Sequence, residues 1–207
     1  MTDPGLRERK KARTRQVIAA AAARLFAERG YEQVAVSDVA REAEVSEQTV
    51  YNYFQTKDQL VTDRDQLVQD ELCALIRARP AGTTPAAAIR EFVLDSVEGI
   101  RRVPAGQWRG ELGFLAAISP AVHRLALQMA DRQASALAAA IAETDALPPE
   151  IAKIRGIALA GVFQIIITEA GRRTREGQGQ NQIADELRPA IEAVLDDLER
   201  WLTPAPD

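Results

Sequence analysis

A chain of 207 residues, 46% hydrophobic and 27% charged, has the make-up of a globular protein with a sizeable core. One cysteine, Cys73, excludes an internal disulfide, and one histidine, His123, leaves no metal-ligand cluster. The net charge of −4 excludes a uniformly basic protein, but the charge is uneven: residues 1–60 hold ten Lys or Arg and nine Asp or Glu, the remainder 16 and 21.

The pattern is helical nearly throughout, with no strand-like alternation and no internal repeat. A first helix is expected from about Arg9 to Gly30, a residue suited to the position just past a helix end. Its inward stripe is Val17, Ile18, Ala21, Ala22, Leu25 and Phe26. Between Leu6 and Arg15 the basic residues Arg7, Arg9, Lys10, Lys11, Arg13 and Arg15 face Glu8 alone. Such an arm, beside a DNA-reading element, neutralises phosphates.

Val36 to Leu60 reads as two short helices around a tight turn. Ser37 is expected to cap the first, with Asp38 in its first turn and Val39, Ala40 and Ala43 facing inward. Glu44-Val45-Ser46 is the break, and Ser46 is the natural cap of a second helix reaching about Phe54. At about 100° per residue, Gln48, Asn52, Gln55 and, at the flank, Tyr51 share one side. Val50, Phe54 and more obliquely Tyr53 point the other way. That is the pattern of a helix-turn-helix, whose second helix enters the major groove.

A connecting helix is expected from Thr56-Lys57-Asp58 to about Arg79. Pro80 to Thr84 is the clearest break. Thr84 caps a helix with Pro85 at its first position, ending near Val103-Pro104. A short helix over Gln107 to Ala117 follows, then one opened by Ser119-Pro120 and running to about Glu143. A long helix covers about Glu150 to Arg173. The last carries Ile183, Leu187, Ile191, Val194, Leu198 and Trp201 at helical spacing; Pro189 inside it predicts a kink or two abutting helices. The expected fold class is all-α, about nine helices, with a DNA-binding domain over residues 1–58 and a larger helical domain over 59–207, which the family resemblance given next implies is a ligand-binding and dimerisation domain. The N-terminus lacks the apolar run of a secretory signal, and Ile157 to Ile167, interrupted by Gln164, is too short to span a bilayer, so the expectation is a cytoplasmic protein with no membrane partner.

The motifs resemble those of the TetR family of bacterial one-component transcription regulators. The resemblance covers about Arg9 to Leu60: Ala20 to Gly30 as AAAARLFAERG, Val39-Ala40 followed by Ala43-x-Val45-Ser46, and Thr49-Val50-Tyr51-x-Tyr53-Phe54-x-x-Lys57-x-x-Leu60. It implies a homodimer that binds palindromic operator DNA, usually as a repressor, and is released or retuned by a small effector. Carried onto matching positions, it puts Gln48 and Asn52 at base edges and Ser37, Thr49, Tyr51, Tyr53 and Lys57 at phosphates. The chemistry agrees: Gln and Asn pair with adenine in the major groove, while hydroxyls and a lysine position without reading sequence. Two residues depart from the family pattern. Glu47 accepts from a cytosine amino group or only serves the helix dipole, and Asn52 replaces the usual histidine or aromatic residue. Tyr53 leans toward the core as well as toward a phosphate.

In the C-terminal half, Phe92, Trp108 and Phe114 are candidate walls of an effector site, with His123 and Gln164 as candidate polar contacts. Most large apolar residues there are ordinary core. The block from Trp108 through the Ser119-Pro120 helix resembles regulators that sense acyl-CoA or related acyl compounds, in keeping with a small apolar effector. Ile154, Ile157, Ala158, Gly161, Ile165 and Thr168 on the long helix, with the final helix, form the expected homodimer face. No cofactor is implied. An all-helical enzyme finds no nucleophile–base pair, no glycine-rich phosphate loop and no aspartate-rich metal motif, since Arg200 follows Asp196-Asp197. The other alternative is an interaction module that kept the fold and lost DNA binding.

Overall fold

Apolar residues spaced three to four apart wind almost the whole chain into helices. The computed structural model describes residues 5–63, 65–103 and 108–203, and every regular element among them is helical. In order these are α1 (Leu6–Arg29), α2 (Val36–Glu42), α3 (Glu47–Tyr53), α4 (Asp65–Ala78), α5 (Pro85–Arg102), α6 (Leu112–Ile118), α7 (Pro120–Thr144), α8 (Pro149–Arg175) and α9 (Gln180–Leu202).

The caps explain several boundaries. Thr84 accepts the Ala87 N–H at 3.1 Å and Ser119 that of Val122 at 3.2 Å, each followed by proline at the first helical position, which has no N–H to satisfy. Three expectations need correction. α4 starts at Asp65 rather than Thr56, because a 3-10 turn at Asp58–Leu60 intervenes and buries Leu60 in the N-terminal core. The Asp58 carboxylate accepts the Tyr31 hydroxyl, and the Asp58 carbonyl accepts that of Thr62, fixing this turn. The Gln107–Ala117 helix is instead a 3-10 turn, Trp108–Gly110, followed by α6; Gln107 lies outside the described residues. α9 continues through Pro189 as one element, so two abutting helices do not occur.

Two apolar cores result. The first joins Ile18, Leu25 and Phe26 of α1 with Val39, Val50 and Phe54, and also takes in Leu115, Val122 and Ala126 from the α6–α7 corner. The second lies among α4, α5, the C-terminal half of α7, α8 and α9. Among the described residues four glycines, Gly110, Gly113, Gly156 and Gly171, bring backbones into direct contact. A Cβ on Gly110 would lie 2.0 Å from the Ala23 carbonyl oxygen of α1, one on Gly113 2.3 Å from that of Ile167, and one on Gly171 2.0 Å from that of Gly113. Thus α6 and the turn before it are wedged between α1 and α8. Alongside, α5 and α9 run antiparallel under a ladder of ion pairs: Arg90 to Asp196 at 2.7 Å, Arg188 to Glu98 at 3.1 Å and Arg101 to Asp185 at 2.6 Å.

By length and composition alone α8 is apolar enough to cross a membrane, a property that the Ile157–Ile167 run did not reveal. Here Leu159, Val162, Phe163 and Ile166 are buried in the second core, and α8 packs on α6, α7 and α9.

Candidate nucleic-acid interface

The helix-turn-helix is held from within by Val39, Ala40 and Val50, at most 3% exposed, and by Phe54. The N-cap of α2 is Ala35 rather than Ser37, which stands inside the helix. Asp38 does the capping from the third position: its Oδ2 accepts the Ala35 N–H at 3.0 Å. That backbone bond, reinforced by Arg41, holds the Asp38 carboxyl below its ordinary pKa. The chain reverses at Glu44 in the left-handed region (φ 54°), and the Val45 N–H reaches back to the Ala40 carbonyl at 2.9 Å. Ser46 caps α3 by accepting the Thr49 N–H at 3.1 Å, while the two hydroxyls share a bond of 2.8 Å.

On this support α3 presents Glu47, Gln48, Tyr51 and Asn52 to solvent, with Thr49 half-buried at the cap. Gln48 Nε2 donates to Asn52 Oδ1 at 3.2 Å, joining the two amides. Tyr53 packs partly against the N-terminal core. Its carbonyl accepts from Arg15 Nη1 at 3.0 Å. Arg15 also donates to Asp63 at 2.7 Å and lies 4.6 Å from the centre of the Phe54 ring. Arg15 is therefore a clamp between α1 and the end of the helix-turn-helix, separate from the basic run that precedes it. Spacing along α1 gave no sign of this, because its partners are far away in sequence.

Lys57 is half-buried, with its ammonium 4.2 Å over the Tyr31 ring, and burial lowers its pKa despite Glu32 and Asp58 nearby. Arg7, Arg9, Lys10, Lys11 and Arg13 are all exposed on the first turns of α1, ahead of Ile18, the first core residue. The arm is thus a helical extension, residues 6–14 rising roughly 13 Å at the helical pitch.

Residues 18–63 match the family model described as bacterial regulatory proteins, tetR family. The chain's N-terminal region is that of the TetR family. The HTH-type transcriptional regulator TcmR of Streptomyces glaucescens is 28% identical over 151 residues, 73% of this chain; the match spans only 62% of TcmR. Among solved structures, NalD, the secondary repressor of the MexAB-OprM multidrug efflux pump in Pseudomonas aeruginosa, superposes with a TM-score of 0.59 at 20% identity. That alignment covers 94% of this chain and all of NalD. A TetR-family transcriptional regulator from Streptomyces coelicolor gives 0.52 at 19% identity, over 91% of this chain and 97% of that one. These structures share the TetR fold: an N-terminal helix-turn-helix domain followed by a larger helical domain.

The C-terminal candidates are dispersed. Phe92 and Phe163 pack at a tilt between α5 and α8, ring centres 6.0 Å apart. Phe114 and Gln164 are half-buried on α6 and α8, and the side chain of Trp108 lies outside the described residues. His123 is exposed near the start of α7 and lines an open depression with Ile118, Pro120 and Arg124. A second open depression, between α5 and α9, is lined by Arg90, Leu94 and Arg188, whose guanidinium groups already hold carboxylates. Phe92, Phe114 and Gln164 line neither.

One face remains uncovered. Ile151, Ile154, Ile157 and Ile165 of α8 and Val194 and Trp201 of α9 are 40–52% exposed. A Cβ on Gly161, on the same side of α8, would meet nothing within 4 Å.

Proposed function

We propose that this TetR-family chain is a ligand-responsive transcriptional regulator, a repressor, that binds palindromic operator DNA in the cytoplasm as a homodimer. Residues 1–58 form the DNA-binding domain, and residues 59–207 bind effector and dimerise. The observation that carries the reading is the exposed amide face of α3 on a rigid, apolar-backed support. Gln48 and Asn52 read bases; Ser37, Thr49, Tyr51 and Tyr53 reach phosphates, and Glu47 serves the positive end of α3. Lys57 faces a phosphate from its seat on Tyr31, and the basic extension of α1 supplies further phosphate neutralisation.

The isoleucine face of α8 with Val194 and Trp201 of α9 supports a twofold contact, a patch of apolar surface larger than scattered exposure explains. The effector is a small apolar molecule, for which acyl compounds are the leading class, taken up beside Phe92, Phe114 and Gln164. It acts by preferring one spacing of the paired α3 helices over another. The wedge of α6 between α1 and α8 supports such coupling, because neither backbone contact yields by side-chain rotation.

Selection of binding sites from random duplexes tests the reading. An inverted repeat bound by two chains, with affinity falling steeply as salt rises, is expected. Binding that is absent, or indifferent to sequence, favours an interaction module that lost DNA recognition.

A further inference from the structure

The two ends of α3 are held by different devices. At its start the Ser46 hydroxyl accepts the Thr49 N–H at 3.1 Å. At its end the chain turns extended at Phe54 (φ −137°), so the Tyr53 carbonyl, the last of the helix, has no helical N–H to accept. Arg15 of α1 takes that place: its Nη1 donates to the Tyr53 carbonyl at 3.0 Å. A cation also suits the negative end of a helix.

The other edge of the same guanidinium holds Asp63. Nε donates to Asp63 Oδ1 at 2.7 Å, Nη2 lies 2.5 Å from the same oxygen, and the planar group stands 4.6 Å over the centre of the Phe54 ring. Parts far apart in sequence therefore meet at one side chain: α1, the end of α3 and the segment that leads into α4. Asp63 neutralises Arg15, so the pair offers a phosphate no net charge.

With seven residues, α3 is too short to hold its own geometry, and its anchors set its tilt. We propose, on the reading that α3 enters the major groove, that Arg15 and Asp63 are positioning residues for recognition: together they fix the C-terminal end of α3, so that Asn52, next to the clamped carbonyl, meets its base pair, and neither of them touches DNA. Loosening the clamp leaves the Ser46 end in place and frees the other. The orientation that reads is then only a fraction of the population, and affinity falls by that fraction. Gln48, in the first turn beside the Ser46 cap, is affected less than Asn52 in the last.

The test uses the full chain and the duplex recovered by selection, at a temperature where circular dichroism shows every variant folded. Gln48→Ala and Asn52→Ala first locate the base pair that each reads. Arg15→Ala is expected to weaken binding about tenfold and to relax preference at the Asn52 base pair more than at the Gln48 one, with the salt slope unchanged. Asp63→Ala should do the same, and the double variant should be no worse than either single one. Arg15→Lys, whose one ammonium cannot span both partners, should resemble Arg15→Ala. Arg24→Ala, which breaks the pair with Glu42 between α1 and α2 and nothing at α3, should leave preference intact.

A salt slope lowered by about one in Arg15→Ala makes Arg15 a phosphate contact and overturns the proposal. So does full preference in Arg15→Ala or Arg15→Lys, additive loss in the double variant, or equal relaxation in Arg24→Ala. Groove reading survives each of these results. If the unaltered chain selects no sequence, groove reading fails and the positioning role with it.

Discussion

Gly171→Ala is the sharpest single perturbation that the fold offers. The added Cβ would sit 2.0 Å from the Gly113 carbonyl oxygen and 2.7 Å from the Phe114 nitrogen, both backbone atoms. Ordinary contact begins at 3.4 Å, so α6 must retreat from α8 by roughly 1.4 Å. No side-chain rotation relieves this, which places the strain at the upper end of overpacking costs, about 3 kcal/mol. Replacing a helical glycine returns about 1 kcal/mol through backbone entropy. The net expectation is a loss of about 2 kcal/mol, or a melting temperature about 5 °C lower for a chain of this size. Gly99→Ala in α5 is the matched control, since its Cβ meets nothing within 4 Å. It should stabilise by about 0.5–1 kcal/mol. Thermal and urea denaturation at one fixed chain concentration measure both. Equal shifts of the same sign in the two variants would refute the claim that α6 and α8 meet backbone to backbone.

Ile157→Glu places a charge on the face proposed for dimerisation, where Ile157 is 52% exposed in the single chain. Counting both copies, lost apolar burial and an unpaired charge amount to about 3 kcal/mol or more, a weakening above a hundredfold visible by sedimentation; an unchanged dimer excludes this face. Arg15→Ala removes the Asp63 pair, the bond to Tyr53 and the contact with Phe54, and should cost about 1–2 kcal/mol in unfolding free energy. Its DNA-binding salt slope should stay unchanged, whereas Arg13→Ala should lower that slope by about one. The Ser119 hydroxyl, donating to Glu32, holds that carboxyl below its ordinary value of 4.5. A lowered folded-state value adds stability that is present above 4.5 and lost as pH falls through the folded value. Glu32→Gln should therefore lose less stability than the unaltered chain as pH falls below 4.5, as read from denaturation midpoints.

What the sequence disclosed, and what it hid, divides by range of interaction. Ser46 as a cap, Val50 and Phe54 as the inner face and Gln48 and Asn52 as the outer face all follow from local spacing, and all stand in the fold. Ser37 failed as a cap because Asp38, one residue on, reaches the Ala35 N–H, a choice between neighbours that spacing does not settle. The early start expected for α4 failed because Leu60 and Tyr31 hold the chain in a turn from a distance. Arg15 read as a member of the basic arm and Lys57 as a phosphate contact; their partners Tyr53, Phe54 and Tyr31 meet them only in three dimensions. Gly113 of α6 and Gly171 of α8 gave no periodic signal. Their role lies in what stands opposite, which no single segment records.

The most direct measurement of the central claim is the affinity of the purified chain for its selected duplex across a salt series, with stoichiometry determined at each end. Paired α3 helices in successive major grooves predict two chains on half-sites about one turn, roughly 34–36 Å, apart, and a log–log slope that grows with the number of phosphates contacted. One chain per duplex, or affinity that does not change with salt, would contradict it.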